Sequence, residues 1–196
     1  MVENSDVPAD GGKPRKGRGA TLSPTPRFVD TERAGFDDGW GSADESPAPL
    51  TTTVTNERVQ SVINRNQSPD LPFNLSINPY RGCEHGCVYC YARPAHAYVD
   101  LSPGLDFESR LFAKPEAAAV LKRELAKPGY RCESIALGGN TDVYQPIERK
   151  LGITRAIIEV LAECNHPFSI VTKSSLVERD IDLLAPLAAR DLVQVF

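Results

Sequence analysis

Phe73-Asn74-Leu75-Ser76-Ile77-Asn78-Pro79-Tyr80-Arg81-Gly82, running directly into Cys83-Glu84-His85-Gly86-Cys87-Val88-Tyr89-Cys90-Tyr91, is the stretch on which the fold turns. Phe73, Leu75 and Ile77 alternate with Asn74, Ser76 and Asn78, the period of two expected of a strand. Pro79 and Gly82 close that strand, and three cysteines follow within eight residues. Downstream the period changes and then alternates. Lys114 to Lys127 predicts a helix: Pro115 suits its first turn, and Ala117, Val120, Leu121 and Leu125 share a face. Ser134 to Leu137 predicts a short buried strand that ends at Gly138-Gly139. Gly152 to Cys164 predicts a helix, Phe168 to Thr172 a strand, Val177 to Ala189 a helix and Asp191 to Phe196 a last strand. Such alternation predicts parallel βαβ units with right-handed crossovers. The strand ends then gather the cysteine loop, Gly138-Gly139-Asn140 and Thr172-Lys173-Ser174 on one rim, where α/β folds place their chemistry.

Upstream the texture differs. Residues 1–72 read as a largely disordered extension, because they hold 7 of the 14 glycines and 8 of the 16 prolines with little apolar periodicity. A β-branched run at 51–63 predicts an edge strand or short arm. Lys13, Arg15, Lys16 and Arg18 form a basic cluster that reads first as a solvated tail. Residues 73–196 form the core. Its last strand stops at Phe196 with no helix to cover it, so the chain reads as C-terminally truncated.

The 196 residues carry 22 basic and 26 acidic side chains, a net charge of −4. That balance gives no support to nucleic acid as a partner held by bulk charge, which leaves such binding to a local patch. No apolar run reaches the ~18–20 residues of a membrane helix, and the polar N-terminus is no signal peptide. A cytoplasmic chain without membrane contact is the expectation.

Five cysteines are too few and too unevenly placed for a disulfide scaffold. Cys83, Cys87 and Cys90 have the spacing C-x3-C-x2-C, and thiolates at that density suit an iron–sulfur cluster or zinc. Three ligands leave one corner of a [4Fe–4S] cube open to a small chelating molecule. Zinc would need a fourth ligand such as His85 or His96, and no second C-x2-C or H-x3-H is present. Cys132 and Cys164 read as ordinary small residues near element ends, His96 and His166 as surface or capping residues, and His85 as a residue that shapes the loop. Asp142 is also able to cap its own turn.

Cys83-x3-Cys87-x2-Cys90, with an aromatic before the last cysteine and a strand before the first, resembles the radical S-adenosylmethionine (SAM) superfamily. The longer string RGCEHGCVYCYAR resembles the branch related to spore photoproduct lyase, and more closely an uncharacterised family beside it; the GRGATLSP leader is similar to that family's too. The resemblance implies an incomplete (β/α) barrel with about three and a half of six βα units. It implies a [4Fe–4S] cluster on the three cysteines and SAM on the open iron. Reductive cleavage of SAM would give a 5′-deoxyadenosyl radical that abstracts hydrogen from an unknown substrate, with a flavodoxin or ferredoxin as electron donor. The same resemblance makes Tyr89 and Tyr91 neighbours of SAM, and Gly138, Gly139 and Asn140 the strand end that receives its amino group. Asn140 stands where the superfamily has an acidic residue, so Thr141 or Asp142 is an alternative for that contact. Lys173, and more weakly Ser174, would meet the SAM carboxylate. No further catalytic residue is assignable. The rival reading is a zinc- or cluster-stabilised module that binds nucleic acid or passes electrons. Within the superfamily, kinship raises DNA lesion repair, which the charge does not favour.

Overall fold

The computed structural model describes residues 18–29 and 50–196. Lys13, Arg15 and Lys16 of the basic cluster, and the acidic stretch at 42–49, lie outside the described residues. Arg18 is described, and its guanidinium donates to Thr52 Oγ1 at 2.8 Å.

Eight strands and five α-helices follow in chain order among the described residues. The larger sheet contains β2 (Ile63–Arg65), β3 (Leu75–Ile77), β6 (Ile135–Leu137), β7 (Phe168–Ile170) and β8 (Val193–Val195), side by side in that order. β3, β6, β7 and β8 are parallel, and β2 is antiparallel to β3. The crossovers carry α2 (Ala117–Leu125), α4 (Ile153–Glu163) and α5 (Ile181–Ala188). Their apolar faces join the strands in one core: Leu121 and Leu161 lie with Leu75, Ile77, Leu137 and Ile170, all fully buried. This is a mixed α/β architecture of parallel strands alternating with helices. Among the described residues no helix is long and apolar enough to cross a membrane.

A second sheet contains the edge strand expected within 51–63, as β1 (Thr53–Asn56), together with two strands that the sequence reading did not give. β1 runs parallel to β5 (Arg110–Ala113), and β5 runs antiparallel to the two-residue β4 (Tyr80–Arg81). The first three residues of the helix expected from Lys114 therefore lie outside α2, because β5 extends to Ala113 and the Lys114 N–H donates to the Pro79 carbonyl at 3.0 Å. Residues 91–109 carry a 3-10 helix (Arg93–Val99) and the short α1 (Leu105–Ser109). The helix expected over 177–189 opens as a 3-10 helix (Ser175–Asp180) before α5, with Pro186 inside it. Residues 51–65 supply β1 and β2, so part of the stretch read as extension belongs to both sheets.

Two histidines depart from expectation. His96 and His166 are buried, not on the surface. His96 Nε2 lies 3.0 Å from the Arg110 carbonyl, and His166 Nε2 lies 2.8 Å from Tyr130 Oη. Burial holds both below the ordinary histidine value of 6.5. The unfolded chain thus binds protons at these sites more readily than the folded one. Their contribution is complete above about pH 6.5 and is lost as the pH falls below it toward the lowered folded values. The urea midpoint should be flat near pH 7–8 and fall as the pH drops below about 6.5. That fall comes before Asp142 and Asp180 titrate, since both sit below their ordinary 3.8. A midpoint unchanged across that window would refute the assignment.

Candidate metal and cofactor site

Because β3, β6 and β7 are parallel, the segments that follow them emerge at the same end of the sheet. β3 leads through β4 into the cysteine loop, β6 into Gly138-Gly139-Asn140-Thr141-Asp142, and β7 into Val171-Thr172-Lys173. These three segments enclose a cavity of about 360 Å³. Cys83, Cys87 and Cys90 all stand in its wall with free thiols. Gly82 and Gly86 take φ of 75° and 62°, so each bend of the loop uses the left-handed region that favours glycine. At Gly82 the space is closed as well: a Cβ would lie 2.7 Å from the Phe107 carbonyl oxygen.

The loop is fixed from beneath. Thr141 Oγ1 donates to the Gly82 carbonyl at 2.8 Å, and Gln145 Nε2 reaches the same oxygen at 3.2 Å. Gln145 Oε1 accepts the Glu84 N–H at 3.0 Å. Asp142 ties the rim together: it accepts Thr172 Oγ1 at 2.6 Å, the Lys173 N–H at 3.1 Å and the Tyr144 N–H at 2.9 Å. His85 Nε2 stands 3.2 Å from Asp142 Oδ2 but out of line for a full hydrogen bond. Burial raises the Asp142 pKa, and the polar contacts around it, His85 and Thr172 foremost, bring it below its usual value.

The leader fixes the loop from outside. The Gly19 and Ala20 N–H groups donate to the fully buried Glu108 carboxylate at 2.9 and 2.8 Å. Arg93 pairs with the same carboxylate and donates to the Cys87 carbonyl through Nε at 3.1 Å and Nη2 at 2.9 Å. Gly19 lies so close to Gly86 that a Cβ on it would sit 1.7 Å from the Gly86 oxygen. Glu108 and Gln145 were not among the residues the sequence singled out, and Arg93 and Gly19 entered only within the strings RGCEHGCVYCYAR and GRGATLSP, with no role given them. Their contacts span up to 89 residues and leave no local pattern.

The expected SAM neighbours divide into two groups. Tyr89 and Tyr91 are exposed on the rim, and Tyr91 Oη donates to the Gly139 carbonyl. Asn140 uses its backbone N–H on Asn78 Oδ1 at 2.8 Å and leaves its exposed side chain at the cavity. Gly138, at φ 96°, has no room for a side chain: a Cβ would lie 3.0 Å from the Val171 oxygen. Lys173 also lines the cavity, and its contact with Cys87 holds its ammonium above the ordinary value. Thr141 and Asp142 line the wall, yet their side chains are engaged with the protein itself. Ser174 is outside the cavity wall; its Oγ accepts the Leu176 N–H at 3.3 Å and caps the following 3-10 helix.

The donor set fits an iron–sulfur cluster better than a single ion. Burial pushes the Cys83 thiol up to about 11, so binding a metal there must displace a proton. Among the described residues no three histidine, cysteine or carboxylate side chains close on one metal position. The three thiols line one cavity, and soft thiolate donors together suit an iron–sulfur cluster.

Comparison with known proteins agrees with this geometry. The family description Radical SAM superfamily matches residues 77–195. The uncharacterised protein Rv2578c of Mycobacterium tuberculosis is 46% identical over 125 residues, 64% of this chain and 37% of the relative. The uncharacterised protein MJ0683 of Methanocaldococcus jannaschii is 33% identical over 107 residues, 55% of this chain and 38% of the relative. The chain thus spans well under half the length of these curated relatives. No solved structure matches it. With the match running from the end of β3 to the end of β8, across the cysteine loop and both facing strand ends, the chain belongs to the radical SAM superfamily.

Proposed function

We propose that this chain is the cluster- and SAM-binding part of a radical SAM enzyme, with Cys83, Cys87 and Cys90 as the ligands of a [4Fe–4S] cluster. The observation that carries the reading is the single cavity in which all three thiols face the ends of β6 and β7. Cys83, Cys87 and Cys90 would hold the cluster, which when reduced would supply the electron for cleavage of SAM to a hydrogen-abstracting radical. The protein's part is to hold and to shield. Tyr89 and Tyr91 offer aromatic faces to an adenine, and the Tyr91–Gly139 hydrogen bond fixes one of them over the strand end. Asn140 and the Gly138-Gly139 backbone offer polar groups to the SAM amino end. Lys173 places a point charge for its carboxylate beside Cys87. A flavodoxin or ferredoxin is the fitting electron donor. Free thiols at this density suit a reducing, cytoplasmic compartment.

Anaerobic reconstitution with iron and sulfide, followed by EPR of the reduced protein, tests the reading. About four irons per chain and a spectrum that changes on adding SAM are expected for a three-cysteine cluster. One zinc per chain and no response to SAM would overturn it.

A further inference from the structure

The large sheet has a second face. Asn64, Ser76, Ala136, Ser169 and Gln194 fall in one register row across its five strands. They alternate with Leu75, Ile77, Ile135, Leu137, Phe168 and Ile170, which belong to the core under the helices. Alternation along a strand turns the row to the opposite side. That side is small and polar where the other is apolar and filled.

Against this face lies a separate cavity of about 150 Å³, walled by Ser76, Asn78, Arg81, His96, Lys114 and Asn140 among others. Asn140 also walls the cysteine cavity, so the two adjoin there. Lys114 is only 8% exposed. Its Nζ donates to the Asn78 carbonyl at 2.9 Å. Among the described residues no carboxylate comes within 4.0 Å of it, since Glu57 is taken by both arms of Arg81 at 2.8 Å. Two further ionisable residues of the wall are engaged elsewhere: His96 Nε2 lies against the Arg110 carbonyl, and Tyr80 Oη donates to Glu148. An ammonium carries three donors, and one is used here. A buried cation with no counter-ion in contact is costly, and a bound anion would relieve that cost. Burial lowers the Lys114 pKa, and the field of Glu57 partly restores it.

We propose that Lys114 receives an oxyanion, a carboxylate or a phosphate, at one end of the substrate. This rests on the enzyme reading above and names the substrate class for that site. The volume sets the extent of the contact. Usual small-molecule sites occupy ~300–1,000 Å³, so this cavity takes an end group and not a whole ligand. The remainder of the substrate passes Asn140 and reaches the cysteine cavity, where hydrogen abstraction would occur.

The test uses the full chain as purified, so that it does not depend on a cluster. Phosphate, acetate and the neutral acetamide are titrated while thermal stability is followed, since a ligand that binds only the folded state raises the midpoint. A dose-dependent rise with phosphate or acetate, absent with acetamide, is expected; which anion acts distinguishes the two sources. Lys114→Met should weaken that response at least tenfold, and Lys114→Arg should restore part of it. Because Lys114→Met removes an uncompensated buried charge, its midpoint without anion should equal or exceed that of the parent. Three results would overturn the proposal: no response to either anion, an equal response to acetamide, or a response that survives Lys114→Met. A loss of stability in Lys114→Met without anion would do so as well, by making the Asn78 contact the purpose of the lysine. A chain that binds the anion but never holds iron would sink the enzyme reading and leave this pocket standing.

Discussion

Cys83→Ala leaves a folded protein that does not retain iron. After reconstitution the expected content falls from about four irons per chain to near zero, because two cysteines cannot hold a cube that three cysteines hold. SAM cleavage should fall below detection with it. The fold should survive, because Cys83 belongs to a small satellite cluster with Ala92 and Phe107 and not to the main core. Far-UV circular dichroism and the urea midpoint read the fold, and metal analysis reads the cluster. The control is a pair of thiols elsewhere: Cys132 and Cys164 are exposed and absent from the cavity wall, so alanine at either should leave iron unchanged. Full iron in Cys83→Ala, or loss of iron in Cys132→Ala, would refute the ligand assignment.

Glu148→Ala should have the largest effect on stability, although Glu148 lies outside the cavity. Its carboxylate is 0% exposed. It accepts Tyr80 Oη, the Thr154 N–H at 2.9 Å and Arg179 Nη2 at 2.8 Å. Asp180, also buried, takes Arg179, Arg155 and Tyr144 Oη on the same network. Alanine would leave the Tyr80 hydroxyl and an amide in the first turn of α4 without a partner, and Arg179 with one carboxylate in place of two. Removing one member of a buried pair costs about 3–5 kcal/mol, a large part of the ~5–15 kcal/mol of a whole domain. With a urea slope of ~2 kcal/mol per molar the midpoint should drop by roughly 2 M. Tyr80 begins β4, the stem of the cysteine loop, so iron retention should weaken in parallel. A midpoint within about 0.5 M of the parent, a quarter of that shift, would show that the network is dispensable.

What was legible in the sequence is what repeats locally. The strand from Leu75 to Ile77, the α2 and α4 faces and the convergence of three strand ends follow from periodicity over a few residues, and the structure has them. Of the β1–β5–β4 sheet only the edge strand β1 was legible, because β4 and β5 are two and four residues long. Two buried histidines were misplaced for a related reason: their partners, the Arg110 carbonyl and Tyr130, lie 14 and 36 residues away. At the site, residue type alone could not separate side chains that line a cavity from those that brace it. Thr141 and Asp142 have the chemistry to meet a ligand, yet a short loop first needs its own amides and carbonyls satisfied. Ser174 serves its own helix start for the same reason.

The leader contact has a consequence for the order in which the protein is made. Gly19 leaves the ribosome early, but its anchor Glu108 lies 89 residues later. Cys83, Cys87 and Cys90 all precede that anchor. At ~5–20 residues per second, the stretch from Cys90 to Glu108 takes on the order of one to a few seconds to appear. Closing so long a loop also comes late in folding, since its entropy must be met before its contacts form. The three cysteines are therefore made before the leader has its anchor, so the loop can take up a ligand before Glu108 fastens the leader beside it.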